Sequence, residues 1–366
     1  MDASAFGRLG RAALPLVAIV SFVFGLAATL AVAGETLGFD FLAYHQAAAR
    51  LLAGLPLYDM SYTQTGGFGL FYYPPTFAPI LLPFGALSAT TATWSWIAIS
   101  IGAFLVGVAA MPVSRTVKWT TILLAGWSFP FVYAVKLGQV GPILFCLLAL
   151  GWRWLDRQIP FGVVGALGAA IKLQPGLVLI WALLTLRIRA VAAGAVVLIA
   201  LAVVTTVLAG PSAWTDFLSL IRTVSDPIRT PHNFTPGAIA FAYGSSAEVA
   251  GTIQLLNTVG VIVLLLMSIR WATDEASFMI AVIGSQLVSP IVWDHYAMLL
   301  LLPVAYLLAS GRWWAVVMPL VTAWPLVGVT PAVAYPILFW VTLVATFLVG
   351  HAATDPRQSL GEALAR

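Results

Sequence analysis

Five ionisable residues of this chain stand where apolar sequence gives way to a turn: Asp40, Lys136, Lys172, Asp294 and His295. A carboxylate so placed can take a proton from a hydroxyl. Ammonium and imidazole groups can hold an anion such as a phosphate. The stretches that carry them are Gly38-Phe-Asp40-Phe-Leu-Ala-Tyr44, Lys136-Leu-Gly-Gln139-Val-Gly141, Lys172-Leu-Gln174-Pro175 and Ser289-Pro290-Ile-Val-Trp293-Asp294-His295-Tyr296. Plainer readings stand beside the chemical one. Asp40 falls where it would cap the helix that follows. Both lysines can snorkel to an interface. Asp294 and His295 read equally as a helix cap with an interfacial imidazole. Asp59, ahead of a Gly-rich turn, reads as a turn residue.

The rest of the chain says what must position these groups. Of 366 residues, 61% are hydrophobic and 8% charged, with a mean hydropathy of +1.00; soluble domains carry about 45–50% and about 25%. So few charges cannot coat a globule of this size, which excludes a soluble enzyme. Disorder and a coiled coil are excluded with it, and the single Cys146 excludes a disulfide scaffold. What remains is an all-α polytopic membrane protein, read as one transmembrane domain over 1–366. At about 20 residues per crossing, the apolar runs predict twelve spans near 12–33, 90–111, 119–135, 139–152, 159–171, 174–186, 190–209, 247–269, 276–290, 295–309, 313–328 and 332–350.

Charge then orients the list. With the N-terminus cytoplasmic, Arg8, Arg11, Arg115, Lys118, Arg153, Arg157, Arg187, Arg189, Arg270, Arg312, Arg357 and Arg366 lie inside, twelve of the seventeen Lys and Arg. Arg50, Lys136, Lys172, Arg222 and Arg229 lie outside. The asymmetry holds only if the apolar piece 76–88 does not cross, so it reads as a half-helix or interfacial piece. The net charge of +4 is mostly this asymmetry and asks for no nucleic-acid partner. Ala31-Val-Ala-Gly34 resembles a signal-peptidase site, but the long apolar run before it reads as an uncleaved first helix. On this topology Asp40, Lys136, Lys172, Asp294 and His295 share the extracytoplasmic side, where they can serve a lipid phosphate and a hydroxyl acceptor.

Two outer loops are long, 34–74 and 210–246, and long loops in compact proteins are usually functional or disordered. Phe41 to Ala53 predicts a short amphipathic helix with Tyr44, Ala47, Ala48, Leu51 and Leu52 on one face, ended by Gly54 and Pro56. The second loop brings Trp214, Phe217, Pro231, His232, Phe234 and Tyr243. These aromatics suit stacking on sugars and suit an interfacial belt equally. The segments beside Lys136 and Lys172 are short and broken by Gly or Pro, a pattern that borders binding cavities.

Gly38-Phe-Asp40-Phe-Leu-Ala-Tyr44, Leu51-Leu-Ala-Gly54-Leu-Pro-Leu-Tyr58-Asp59 and Phe71-Tyr-Tyr73-Pro74-Pro75 resemble the first-loop signature of glycosyltransferase family 87. Gly138-Gln139, Lys172-Leu-Gln174-Pro175 and Ser289-Pro290-Ile-Val-Trp293-Asp294-His295 recur there in the same order. The resemblance implies a GT-C membrane fold and a sugar carried on polyprenyl phosphate, mannose in the better-known relatives and arabinose in others. The sugar would pass to a hydroxyl of a lipid- or glycan-linked acceptor outside the plasma membrane. It implies Asp40 as catalytic base and an inverted anomeric centre. Lys172, then Lys136, would hold the phosphate, and His295 would bond it or orient the acceptor. Tyr73, Gln139, Gln174 and Asp294 would support the substrates. No DxD motif is present, and neither a cofactor nor a metal is expected. The competing readings are a transporter or lipid flippase, which predicts repeats and charges along a path through the bilayer, and a scaffold subunit, in which Asp40 and His295 are dispensable.

Overall fold

The computed structural model describes residues 3–61, 69–224 and 226–354. Arg357, Arg366 and the 62–68 part of the first loop lie outside them. The described residues form helices throughout and no strand beyond one isolated bridge, Ser128 with Ala323. Among them, five helices are long and apolar enough to cross a membrane: Ala12–Ala31, Ala89–Ala110, Ile188–Ala209, Ala247–Trp271 and Ala334–Ala352. Their outward faces carry exposed Leu16, Val20, Val196, Val203, Leu255 and Leu348. Water would not tolerate so much apolar surface; lipid does.

The other expected spans resolve into shorter pieces. The 119–135 segment is broken at Ser128 into Arg115–Trp127 and Phe129–Leu137. The 313–328 segment is three short turns, Trp313–Val316, Val317–Val321 and Trp324–Leu326, interrupted by Pro319 and Pro325, residues that interrupt regular helix. The 76–88 piece is an eight-residue helix, Ala78–Gly85, too short to cross at 1.5 Å per residue. It lies along Phe39–Leu52, close enough that a Cβ on Gly85 would meet the Ala48 backbone at 2.7 Å.

Two helices form the centre. Asp274–Leu287 is buried from Ala276 through Leu287, and Leu301–Ala309 from Leu301 through Leu308. Helices buried on every face sit in the middle of a bundle, and the buried Ser277 of the first accepts from Trp181 Nε1 at 2.8 Å. Elsewhere small residues bring backbones together: Gly25 packs on Gly126, and Gly162 on the Ala190 carbonyl.

Polar groups gather at two opposite ends. At one end Arg187 pairs with Asp274 at 2.5 Å and bonds the Leu155 carbonyl. Nearby Arg153 reaches the Ala110 carbonyl at 3.4 Å and Lys118 the Ala109 carbonyl at 2.5 Å. The short turns 154–157, 185–187 and 272–273 close there. At the other end lie Phe39–Leu52, the break at 138–140 and the connections 172–173 and 288–293, and with them the candidate chemistry.

Candidate active site

Asp40 is placed by two glycines that touch. Gly38 adopts φ +69° ahead of Phe39–Leu52, and Gly138 adopts φ +68° after Phe129–Leu137, the left-handed region that side chains disfavour. The Gly38 amide donates to the Lys136 carbonyl at 2.8 Å, and Trp96 Nε1 donates to the Gly138 carbonyl at 2.7 Å. A Cβ on Gly138 would stand 2.6 Å from the Phe41 Cβ. The Phe39–Leu52 helix is thereby seated on the break that follows Phe129–Leu137. At that break the chain turns through 118° into Gly141–Arg153, with Gln139 at the apex.

This arrangement corrects the cap reading of Asp40. The helix begins at Phe39, two residues earlier than expected, so Gly38 holds the cap position and Asp40 lies in the first turn. Its carboxylate accepts a short hydrogen bond from Gln139 Nε2. Gln139 Oε1 in turn accepts from Tyr73 Oη at 3.0 Å and Tyr44 Oη at 3.3 Å, and those hydroxyls lie 2.6 Å apart. The two tyrosines fix which way the amide faces, so its NH₂ is aimed at Asp40. On the same helix Phe41, Ala43, Tyr44, Ala47 and Ala48 are buried. Leu52, expected on that face, is 53% exposed beside the helix end.

Three cationic or titratable groups complete the cluster. Lys172 follows the Gln158–Ile171 helix. Its ammonium sits 3.6 Å from the centre of the Tyr296 ring and 5.7 Å from that of Tyr73, a cation–π seat. Burial pulls this ammonium down to about 7, against the attraction of Asp40. Burial likewise pushes the Asp40 carboxyl up from its ordinary range; the charge of His295, the Gln139 bond and Lys172 pull it back, while Asp294 adds to the rise. Contacts link the same groups: Gln139 and Tyr73 stand between Asp40 and Lys172, and the Tyr296 ring between Lys172 and His295, which Asp294 adjoins.

His295 is 5% exposed, which replaces the expected interfacial imidazole with a buried one. Asp294 Oδ1 accepts from the His295 backbone amide at 2.7 Å and stands 3.4 Å from Nδ1. Nε2 has no hydrogen-bond partner among the described residues. Gln174 Nε2 donates to Ser289 Oγ at 2.6 Å, tying the lysine stretch to the histidine stretch. The Lys136 ammonium lies over the Tyr133 ring, 5.2 Å from its centre, and the Tyr133 and His295 ring centres are 6.4 Å apart. Asp59 accepts from Ser61 and stands 3.6 Å from Arg50, as a turn residue does.

Sequence reasoning missed Tyr44, Tyr296 and Asn233. Tyr44 stands one helical turn from Asp40, a spacing that puts both on one face; its apolar neighbours disguised it. Tyr296 sat inside the quoted stretch without a role. Asn233 Oδ1 accepts from the amides of Val292 at 2.9 Å and Thr235 at 3.1 Å, and Nδ2 donates to the carbonyls of Pro227 and Pro290. It straps the second outer loop to the histidine stretch. In that loop Phe217 packs on Tyr58, Phe234 on Tyr335, and Trp214 donates to Thr206. Tyr243 is exposed.

The model of glycosyltransferase family 87 matches residues 71–290, well over half of the chain. The chain belongs to glycosyltransferase family 87. Tyr73, Lys136, Gln139, Lys172 and Gln174 fall inside the range matched by family 87; Asp294 and His295 lie four and five residues after it, and Asp40 lies 31 residues before it. The chain is also 28% identical over 199 residues to a polyprenol-phosphate-mannose-dependent alpha-(1-2)-phosphatidylinositol mannoside mannosyltransferase of Mycobacterium tuberculosis. That alignment covers 48% of this chain and 46% of the relative, so the match spans about half the relative's length. The chain is thus a member of a glycosyltransferase family with several helices apolar and long enough to cross a membrane.

Proposed function

We propose that this glycosyltransferase moves a sugar, mannose, from polyprenyl phosphate to a hydroxyl of a glycolipid or glycan acceptor, with Asp40 as general base. The observation that carries the reading is the run of contacts from Asp40 through Gln139 and Tyr73 to Lys172, and from Lys172 through Tyr296 to His295, at one end of the bundle. The donor and the sugar follow the name of the mycobacterial relative. Asp40 takes the acceptor proton as the acceptor oxygen attacks the anomeric carbon. The bond from that carbon to the phosphate oxygen breaks, and the phosphate leaves with its negative charge. Lys172 and His295 Nε2 hold that charge, and Gln139 holds Asp40 in line. One displacement inverts the anomeric centre, so a β-linked donor gives an α-linked product. A phosphate is already a good leaving group, so no second carboxylate has to act as acid.

The end that bears Arg153, Arg187 and Lys118 is assigned to the cytoplasm by its positive charge. The site then faces the extracytoplasmic side of the plasma membrane, in a GT-C-like bundle of about twelve passes, several of them made of broken helices. The test is purified protein in lipid with radiolabelled polyprenyl-phosphate mannose and candidate glycolipid acceptors. Label appears in an acceptor with the natural chain and not with Asp40→Asn. Label that stays on the donor with every acceptor overturns the reading.

A further inference from the structure

Away from the site, the surface of the bundle carries an open groove of about 680 Å³ lined by Arg312, Trp314, Trp340, Val344, Ala345 and Leu348, within the usual range of about 300–1,000 Å³ for ligand sites. It runs along the second half of Ala334–Ala352. Trp340 marks its inner end, with Nε1 donating to Asn257 Oδ1 at 2.9 Å. Arg312 marks the other, in the turn after Leu301–Ala309. That turn lies at the Arg153 end of the bundle: Tyr306 packs on Trp152, and His351 bonds the Trp271 carbonyl at 2.8 Å. The groove is thus at the opposite end from Asp40.

We infer that this groove binds one chain of an anionic glycerophospholipid whose phosphate is held by Arg312. Charge and length both favour that occupant. Arg312 is exposed, and its side chain enters no ion pair or cation–π contact among the described residues. Its guanidinium fork matches phosphate oxygens, and basic sites between helices on the cytoplasmic face hold anionic headgroups. Trp313 and Trp314, 47% and 48% exposed, stand at headgroup level, where indoles settle. From Trp340 to Leu348 the helix rises about 12 Å, most of the roughly 15 Å depth of one leaflet.

The experiment strips the purified protein of lipid and adds phosphatidylglycerol or phosphatidylcholine at matched concentration, with bound lipid read by native mass spectrometry. Phosphatidylglycerol is retained at least ten-fold over phosphatidylcholine. Arg312→Gln brings the two to the same level, and Ala345→Phe, which fills the groove, removes the selective adduct. Circular dichroism checks that both variants stay helical, and neither alters transfer in detergent. Equal retention by the natural chain overturns the inference. So does a preference that survives either variant, or displacement of the adduct by polyprenyl phosphate, which would assign the groove to the donor.

Discussion

Gln139 donates from the apex of a 118° turn to the carboxylate of Asp40, ninety-nine positions earlier in the chain. That bond, with two tyrosine hydroxyls behind it, leaves the second carboxylate oxygen of Asp40 for an incoming hydroxyl. Under the proposed reading it makes Asp40 the group on which transfer turns.

Asp40→Asn therefore loses transfer by about 10²-fold or more, the range for a positioned proton acceptor. The asparagine is isosteric, so the thermal unfolding midpoint of the protein in detergent stays close to that of the natural chain. Radiolabel transfer and a thermal melt on the same preparation check both halves.

The rate depends on pH on both sides. Burial raises the Asp40 carboxyl, so kcat/KM falls on acidification, beginning above the ordinary carboxylate value of about 4. The Lys172 ammonium, brought to about 7 by burial, loses its charge as pH rises through that value. Hold on the donor phosphate then weakens, and kcat/KM falls again. Lys172→Arg keeps a charge throughout and abolishes the basic limb, which a pH profile of kcat/KM reads directly.

Gln139→Ala takes from Asp40 its hydrogen-bond donor and from the Tyr44–Tyr73 pair its acceptor, while the two tyrosine hydroxyls keep the bond between them. The expected cost is about 1–3 kcal/mol for each group left unsatisfied, with a fall in kcat larger than the change in KM. Tyr44→Phe is milder, since Tyr73 still orients the amide. Thermal melts and steady-state kinetics of the two variants rank them.

Gly138→Ala forces a side chain into φ +68° and against Phe41. The backbone alone costs about 1–2 kcal/mol, and relief of the clash moves Phe41 and with it Asp40. Stability and transfer fall together, and Gly102→Ala, which meets open space inside a helix, leaves transfer unchanged and does not lower stability.

Much of the site was legible before any coordinates because of where polar residues sat. Lys172, Gln139 and His295 interrupt apolar sequence in which each must be paired or functional, and they do converge. The cap reading of Asp40 failed because Gly38, not Asp40, breaks the helix, and no local signal told which of two neighbouring residues would do so. The inward aim of Gln139 depends on Tyr73, 66 positions away, and distant pairing leaves no periodic trace. Span lengths were the weakest part. Apolar runs of similar length, such as 119–135 and 190–209, become a broken pair in one case and a single 22-residue helix in the other. Hydrophobicity records that a segment avoids water, and says little about where Ser128 lets it break.

The strap made by Asn233 and the link from Gln174 to Ser289 bear on how the enzyme matures. Lys172 reaches its finished surroundings only once Ser289 and Tyr296, more than a hundred positions later, have been synthesised and inserted. Asp40 and Gln139 meet much earlier, while the second half of the chain is still to come. Under the proposed reading, a nascent chain thus carries a base with no place yet for a phosphate, and competence arrives late in biogenesis, when the histidine stretch docks.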